Sequence, residues 1–156
     1  RRPDLQKDPG GGSSKRPPPR PPSPNCSTTQ LALCLKPIHA QWGIRRVVVS
    51  TYQAASGAGS AARQELLDGS KLWLEGRQPV AAAFESSLPF NLWPKIGGFL
   101  QNGSTSEETK MVLESRKILG EPSLPMLVTC VRVPVVNCHS EAVAVETEIH
   151  GLCLTL

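Results

Sequence analysis

The sequence predicts a single α+β domain in which a mixed β-sheet carries its helices on one face. Two observations lead there. The elements read in the order helix, strand, helix, loop, helix, strand, strand, without the regular alternation of a βαβ chain. The length, 156 residues with 39% hydrophobic and 19% charged positions, supplies one core of ordinary composition and leaves no room for a second full domain.

Each element has its own signal. Ser27 to Gln41 carries Leu31, Cys34, Leu35 and Ile38 at helical spacing, with Pro37 limiting the regularity of the end. Ile44 to Thr51 is rich in β-branched residues and reads as a buried strand. Ser60 to Leu67 predicts a short helix ended by Gly69, followed by a loop containing Gly76 and Pro79. Thr105 with Glu108 three positions on forms a capping box, opening a helix that runs to about Leu119 and stops at Gly120. Met126 to Val136 and Glu141 to Glu148 are two strong strands. There is no internal repeat.

The first 24 residues differ in kind. They hold eight of the 15 prolines and the run Gly10 to Ser14, a composition that buries too little apolar surface to offset chain entropy. Residues 1–24 are expected to be a disordered Pro/Arg-rich tail, and residues 25–156 the folded domain. Arg16, Pro19 and Pro22 have the RxxPxxP spacing of SH3 ligands, a spacing that any Pro/Arg-rich tract produces easily. The net charge of +4 also lies in the tail: residues 1–25 carry six basic and two acidic residues, and the remainder balances at eleven of each. No basic face is left for tracking phosphates, and seven aromatic residues offer little base stacking, so nucleic acid is not expected as a partner. The longest apolar runs fall far short of the roughly 20 residues of a membrane-crossing helix, so no membrane partner is expected. Five cysteines without a CxxC spacing suit reduced thiols in a reducing compartment, and no cluster suggests a metal site.

Several residues carry chemistry. Cys26 stands where a loop turns into a helix, and the positive end of the helix favours a thiolate; a half-buried structural Cys is the alternative. His139 lies in the short connection Asn137 to Glu141 between two strands, where an imidazole can be exposed yet held, as an acid/base group must be. Arg132 interrupts the apolar strand positions Val131, Val133 and Val135, and its guanidinium needs a carboxylate or phosphate, from the protein or from a ligand. Gln53 follows a strand and leads into Ser56, Gly57, Ala58 and Gly59, where glycines let backbone N–H groups approach an anion or cofactor. Glu107 and Lys110 share one face of a helix's first turn.

Taken together, Pro24-Asn25-Cys26-Ser27-Thr28, Ser50 to Gly59, Glu107-Glu108-Thr109-Lys110-Met111, Thr129 to Val135 and His139-Ser140-Glu141 resemble aspartate-semialdehyde dehydrogenase over about residues 24 to 148. The Ser-Thr-Tyr-Gln form resembles the bacterial and plant branch, and Leu74 to Pro79 with Phe90-Asn91-Leu92 resemble plastid enzymes. The resemblance implies the fold of the C-terminal domain of the glyceraldehyde-3-phosphate dehydrogenase-like family. It also implies an NADP-dependent enzyme that reductively dephosphorylates aspartyl 4-phosphate to aspartate semialdehyde, in lysine, threonine and methionine biosynthesis. Cys26 would then be the nucleophile that forms a thioacyl enzyme, His139 the acid/base and Gln53 the group placing the carbonyl. Arg132 would bind the substrate α-carboxylate, Glu107 its amino group and Lys110 its phosphate, with Asn25 beside them, while Ser56, Gly57, Ala58 and Gly59 would lie against NADP. A homodimer is implied, in the plastid of a plant or alga and otherwise in the cytoplasm.

The departures carry expectations too. A Pro-rich tail stands where the family has its N-terminal NADP-binding domain, Gly151 to Leu156 does not resemble the family's C-terminal helix, and Asn137-Cys138 replaces a common Gly before the histidine. The sequence is therefore expected to hold the catalytic and dimerisation domain alone, without turnover of its own. Two other readings compete: a non-catalytic dimerisation module, and a cofactor-free cysteine hydrolase built on Cys26, His139 and Gln53.

Overall fold

A computed structural model describes residues 23–149 and 154–155. The expected tail, 1–24, therefore lies outside the described residues except at its last two positions. The order is α1 (Cys26–Trp42), β1 (Ile44–Gln53), a 3-10 turn (Ala55–Ala58), α2 (Ser60–Leu74), α3 (Ser106–Leu119), β2 (Met126–Arg132), β3 (Ser140–Thr147) and the two-residue β4 (Leu154–Thr155). The sheet order is β2-β1-β3-β4, with β1 parallel to β2 and antiparallel to β3. The sheet is mixed, as expected.

Two helix-turn-strand units build the domain. α1 runs away from one end of the sheet, turns at Gly43 with φ 63°, and returns as β1. α3 does the same, turning at Gly120 in the left-handed region and returning as β2. Both helices pack on one face of the sheet, where alternate strand positions Val47 and Val49 of β1 and Val143 and Val145 of β3 meet Leu31, Leu35 and Ile38 of α1 and Met111 and Leu119 of α3. The period of 2 on the strands thus faces the period of 3.6 on the helices. The opposite face, with Val48, Ser50, Tyr52, Leu127 and Ala144, stays half-buried or exposed.

As expected, α1 runs through Pro37, ending at Trp42, because its buried stripe, ending at Ile38, holds the last turn against the sheet. The chain departs from the sequence expectations in two places. α2 passes Gly69 and runs on to Leu74. Gly69 is a crossing point: a Cβ there would stand 2.8 Å from Pro89 Cγ and 3.3 Å from Pro79 Cβ, so the following loop needs the bare backbone. β2 ends at Arg132 instead of Val136, since Pro134 has no N–H for a ladder, and residues 135 and 136 accept from Ala55 and Ser56 N–H outside it.

Candidate active site

The two helix-turn-strand units have one geometric consequence. The N-termini of α1 and α3 and the C-terminal ends of the parallel strands β1 and β2 all lie at the same end of the sheet, and β3 starts there. Residues 25, 53, 107, 132 and 139 are thereby gathered from five segments. A crevice at the carboxyl ends of parallel strands is the usual place for a ligand in an α/β sheet.

Asn25 caps α1, its Oδ1 accepting from Ser27 N at 2.8 Å and Thr28 N at 3.2 Å. Its Nδ2 donates to Glu107 Oε1 at 2.6 Å, and its own N–H donates to Glu114 Oε2 at 2.8 Å. One residue therefore ties the start of α1 to the first and third turns of α3. Gln53, buried at the end of β1, donates to the same Glu107 oxygen at 3.4 Å and to Thr51 Oγ1 at 3.3 Å. Glu107 is thus a shared acceptor, half-buried and held from two sides.

Cys26 is exposed in the first turn of α1. The positive helix end expected to favour a thiolate is partly spent: the N–H groups of Ser27 and Thr28 are already taken by Asn25 Oδ1. Glu107 first and then Cys26 act electrostatically on the Arg132 guanidinium, opposing the effect of its burial. Cys130, by contrast, is buried, and burial pushes its thiol up to about 12. That thiol is inert.

Arg132 is 7% exposed. Its Nη1 donates to Ala54 O at 2.6 Å and to Gln53 O at 3.4 Å, and the guanidinium stands 5.8 Å from the Phe84 ring centroid. Among the described residues it forms no ion pair. Burial lowers its pKa, opposed first by Glu107. Desolvating a cation without a paired carboxylate is costly, and a bidentate fork that meets only carbonyls has donors left for an anion.

His139 packs beside it. Its Nδ1 accepts from Ala54 N–H at 3.1 Å. Gly57 lies against the ring: a Cβ there would fall 2.7 Å from both His139 Cε1 and Nε2 and 3.4 Å from Arg132 Nη1. Burial and then the Arg132 charge lower the His139 pKa, opposed by Glu107.

Ser56, Gly57, Ala58 and Gly59 form the exposed turn in front of α2. Three of their N–H groups are internally engaged, Ser56 to Val136 O, Gly57 to Ala54 O and Gly59 to Ser56 O. What remains open is the start of α2, where Gly59 at φ 99° supplies no side-chain cap. Lys110 is exposed on α3, without an ion pair to Glu107 among the described residues.

Sequence reasoning missed three contributors. Ala54 acts through its backbone alone, which no side-chain pattern reveals. Phe84 comes from an irregular loop. Glu141 stands at the start of β3, two positions after His139, and lines a cleft with it; its Oε1 is buried without a hydrogen-bond partner among the described residues, and burial raises its carboxyl to about 7.

Fold and site together define a thiol-bearing α+β domain with a buried cation and a held imidazole at the ends of parallel strands. Residues 35–152 match the family model described as semialdehyde dehydrogenase, dimerisation domain, and the chain belongs to that family. It is 48% identical over 127 residues to an aspartate-semialdehyde dehydrogenase of Aquifex aeolicus, covering 81% of this chain and 37% of that protein. It is 47% identical over 125 residues to aspartate-semialdehyde dehydrogenase 2 of Vibrio cholerae. The crystal structure of aspartate semialdehyde dehydrogenase II from Vibrio cholerae complexed with ASA superposes with a TM-score of 0.78 at 46% identity, covering 80% of this chain and 37% of that one. The chain thus spans well under half the length of these relatives.

Proposed function

We propose that this domain is the acyl-transfer half of an aspartate-semialdehyde dehydrogenase: it binds aspartyl 4-phosphate, displaces the phosphate with Cys26 and holds the thioester for reduction to the semialdehyde. What supports the reading is Arg132, a buried guanidinium whose side-chain hydrogen bonds among the described residues go to carbonyls and which feels the charge of the exposed Cys26. A substrate α-carboxylate supplies the missing counter-charge. Glu107, already an acceptor for Asn25 and Gln53, takes the substrate ammonium as a further donor. Gln53 and Asn25 hold that carboxylate in place, Lys110 is assigned to the phosphate, and His139 faces the reacting carbonyl. A thiolate displaces phosphate readily, and a thioester accepts hydride better than an oxygen ester does.

The uncapped, exposed start of α2 fits one anionic end of NADP, with Ser56 to Gly59 against it; when bound, that cofactor supplies the hydride. Since three N–H groups of the turn are engaged, these residues alone hold it weakly. The half-exposed sheet face, with Leu127 58% and Tyr52 43% exposed, is assigned to a second copy of the chain, making a homodimer. No described helix is long and apolar enough to cross a membrane, and the free thiols suit the cytoplasm, or the plastid stroma in a plant or alga.

The test adds freshly made aspartyl phosphate and NADPH to the purified chain, with Cys26→Ala as control. The expected result is release of about one phosphate per chain, dependent on Cys26, as a single-turnover burst without sustained NADPH oxidation. Phosphate release equal to the control would contradict the reading. Release that continued with water as acceptor would favour the hydrolase alternative.

A further inference from the structure

We infer that Phe84 is a positioning residue for carboxylate recognition: its ring fixes the direction of the Arg132 guanidinium without neutralising it, and Glu65 of α2 keeps the ring there. The inference deepens the dehydrogenase reading and rests on it for the identity of the carboxylate.

A buried guanidinium that is to read an incoming carboxylate meets two opposed demands. It has to be held still, and its charge has to stay free. A protein carboxylate meets the first demand and defeats the second, because a bidentate pair occupies the planar fork. Among the described residues Arg132 has no such partner. The Nη1 bonds to Ala54 O at 2.6 Å and Gln53 O at 3.4 Å anchor one corner of the fork, which leaves its plane free to swing. The Phe84 ring supplies the second restraint. Its centroid lies 5.8 Å from Arg132 Cζ, within the roughly 6 Å over which an aromatic ring attracts a cation. A ring carries no charge to pair, so the attraction fixes the plane while the remaining N–H groups stay available to a substrate.

Phe84 itself has to be fixed, because residues 75–105 between α2 and α3 form only isolated bridges at Trp93, Phe99 and Thr105. Two contacts do this. Trp93 meets the Phe84 ring edge-on, with centroids 5.8 Å apart at 72°. Trp93 is in turn tied to Arg132: its N–H donates to Arg132 O at 3.2 Å, and Arg132 N–H donates back to Trp93 O at 2.9 Å. The second contact comes from α2, where Glu65 Oε2 accepts from the N–H groups of Ala82, at 2.9 Å, and Ala83, the two residues before Phe84. Phe84 and Trp93 also pack on the small cluster of Ala55, Leu66 and Leu88. Glu65 and Leu66 are consecutive, so one turn of α2 supplies both the clamp on the loop and part of the packing for the ring.

The test measures acylation of Cys26 by aspartyl phosphate and by acetyl phosphate and takes the ratio of the two rates. A general disturbance of the site slows both and leaves the ratio in place, whereas a misdirected Arg132 lowers it. Phe84→Leu is expected to lower the ratio roughly five- to thirtyfold, and Phe84→Tyr, which keeps the ring, to restore most of it. Glu65→Ala is expected to act in the same direction, and Glu65→Gln, which keeps an acceptor for the two N–H groups, to recover. An unchanged ratio in folded Phe84→Leu overturns the inference. A wild-type ratio of one tells instead against the dehydrogenase reading, and the placement of Arg132 is then decided without substrate. In the arginine side-chain ¹H–¹⁵N spectrum, with Arg132→Met for assignment, Phe84→Leu is expected to shift the Arg132 Nε–H signal and speed its exchange with water. An unmoved signal overturns the inference whatever the substrate.

Discussion

Glu141 shows how one half-buried carboxyl registers in the behaviour of the fold. Its carboxyl is raised from 4.5 to about 7 by burial, with Gln30 opposing as a hydrogen-bond partner, and it lines a cleft of about 240 Å³ with Gln30, Cys34 and His139. A folded-state pKa above the unfolded one favours folding at low pH: the contribution is full below about 4.5 and is lost as pH rises toward 7. His139, whose pKa is lowered, works in the opposite sense, costing stability as pH falls through 6.5 and below. The two overlap, so the variant isolates the carboxyl. Thermal melting of wild type and Glu141→Gln is expected to show the wild type gaining relative to the variant as pH drops from 7.5 to 5. Parallel curves across that range would show that Glu141 ionises freely in the folded chain.

At the scale of elements, the site depends on two helix starts being held together. Asn25 caps α1 and clasps α3 through Glu107 and Glu114, and the capping box at Thr105 and Glu108 squares the other start, with Glu108 also accepting from Cys130 N–H at 3.1 Å. Asn25→Ala is expected to cost roughly 1 to 2 kcal/mol as a lost N-cap, and Asn25→Asp, which keeps the cap but sets a carboxylate against Glu107, is expected to retain the cap yet disturb the site. Denaturant unfolding of both checks this, and an unaffected alanine variant would contradict the clasp. Much of this level was legible in the sequence. The capping box, the strands and the stop at Gly120 follow from local patterns, because local hydrogen bonding and burial period decide them. The passage of α2 through Gly69 was not legible: what decides it is Pro89 and Pro79 crossing from 10 to 20 positions away. The early end of β2 rests on Pro134, a cue present in the sequence but outweighed by the run of valines.

For the whole molecule, the chain brings together residues separated by more than a hundred positions because both helix-turn-strand units start and finish at one end of the sheet. Sequence spacing suggested the residue types, and the resemblance supplied their roles; topology explains why Asn25, Gln53, Glu107, Arg132 and His139 meet. The contributions of Ala54 and Gly57 stayed hidden because they belong to backbone and to empty space. The same architecture leaves one sheet face half-exposed, and Leu127→Glu, placing a charge on it, is expected to shift the chain from dimer to monomer in sedimentation velocity. An unchanged dimer would place the interface elsewhere.

In the proposed function the buried Arg132 guanidinium reads the α-carboxylate of the substrate that acylates Cys26. The most direct test of that role compares acylation of Cys26 by aspartyl phosphate with acylation by acetyl phosphate, which lacks the α-carboxylate, following the thioester on the Cys26 peptide by mass spectrometry. Wild type is expected to prefer aspartyl phosphate, and Arg132→Met to lose this preference while keeping slow acetylation. A preference that survived the loss of Arg132 in a folded variant would contradict that role.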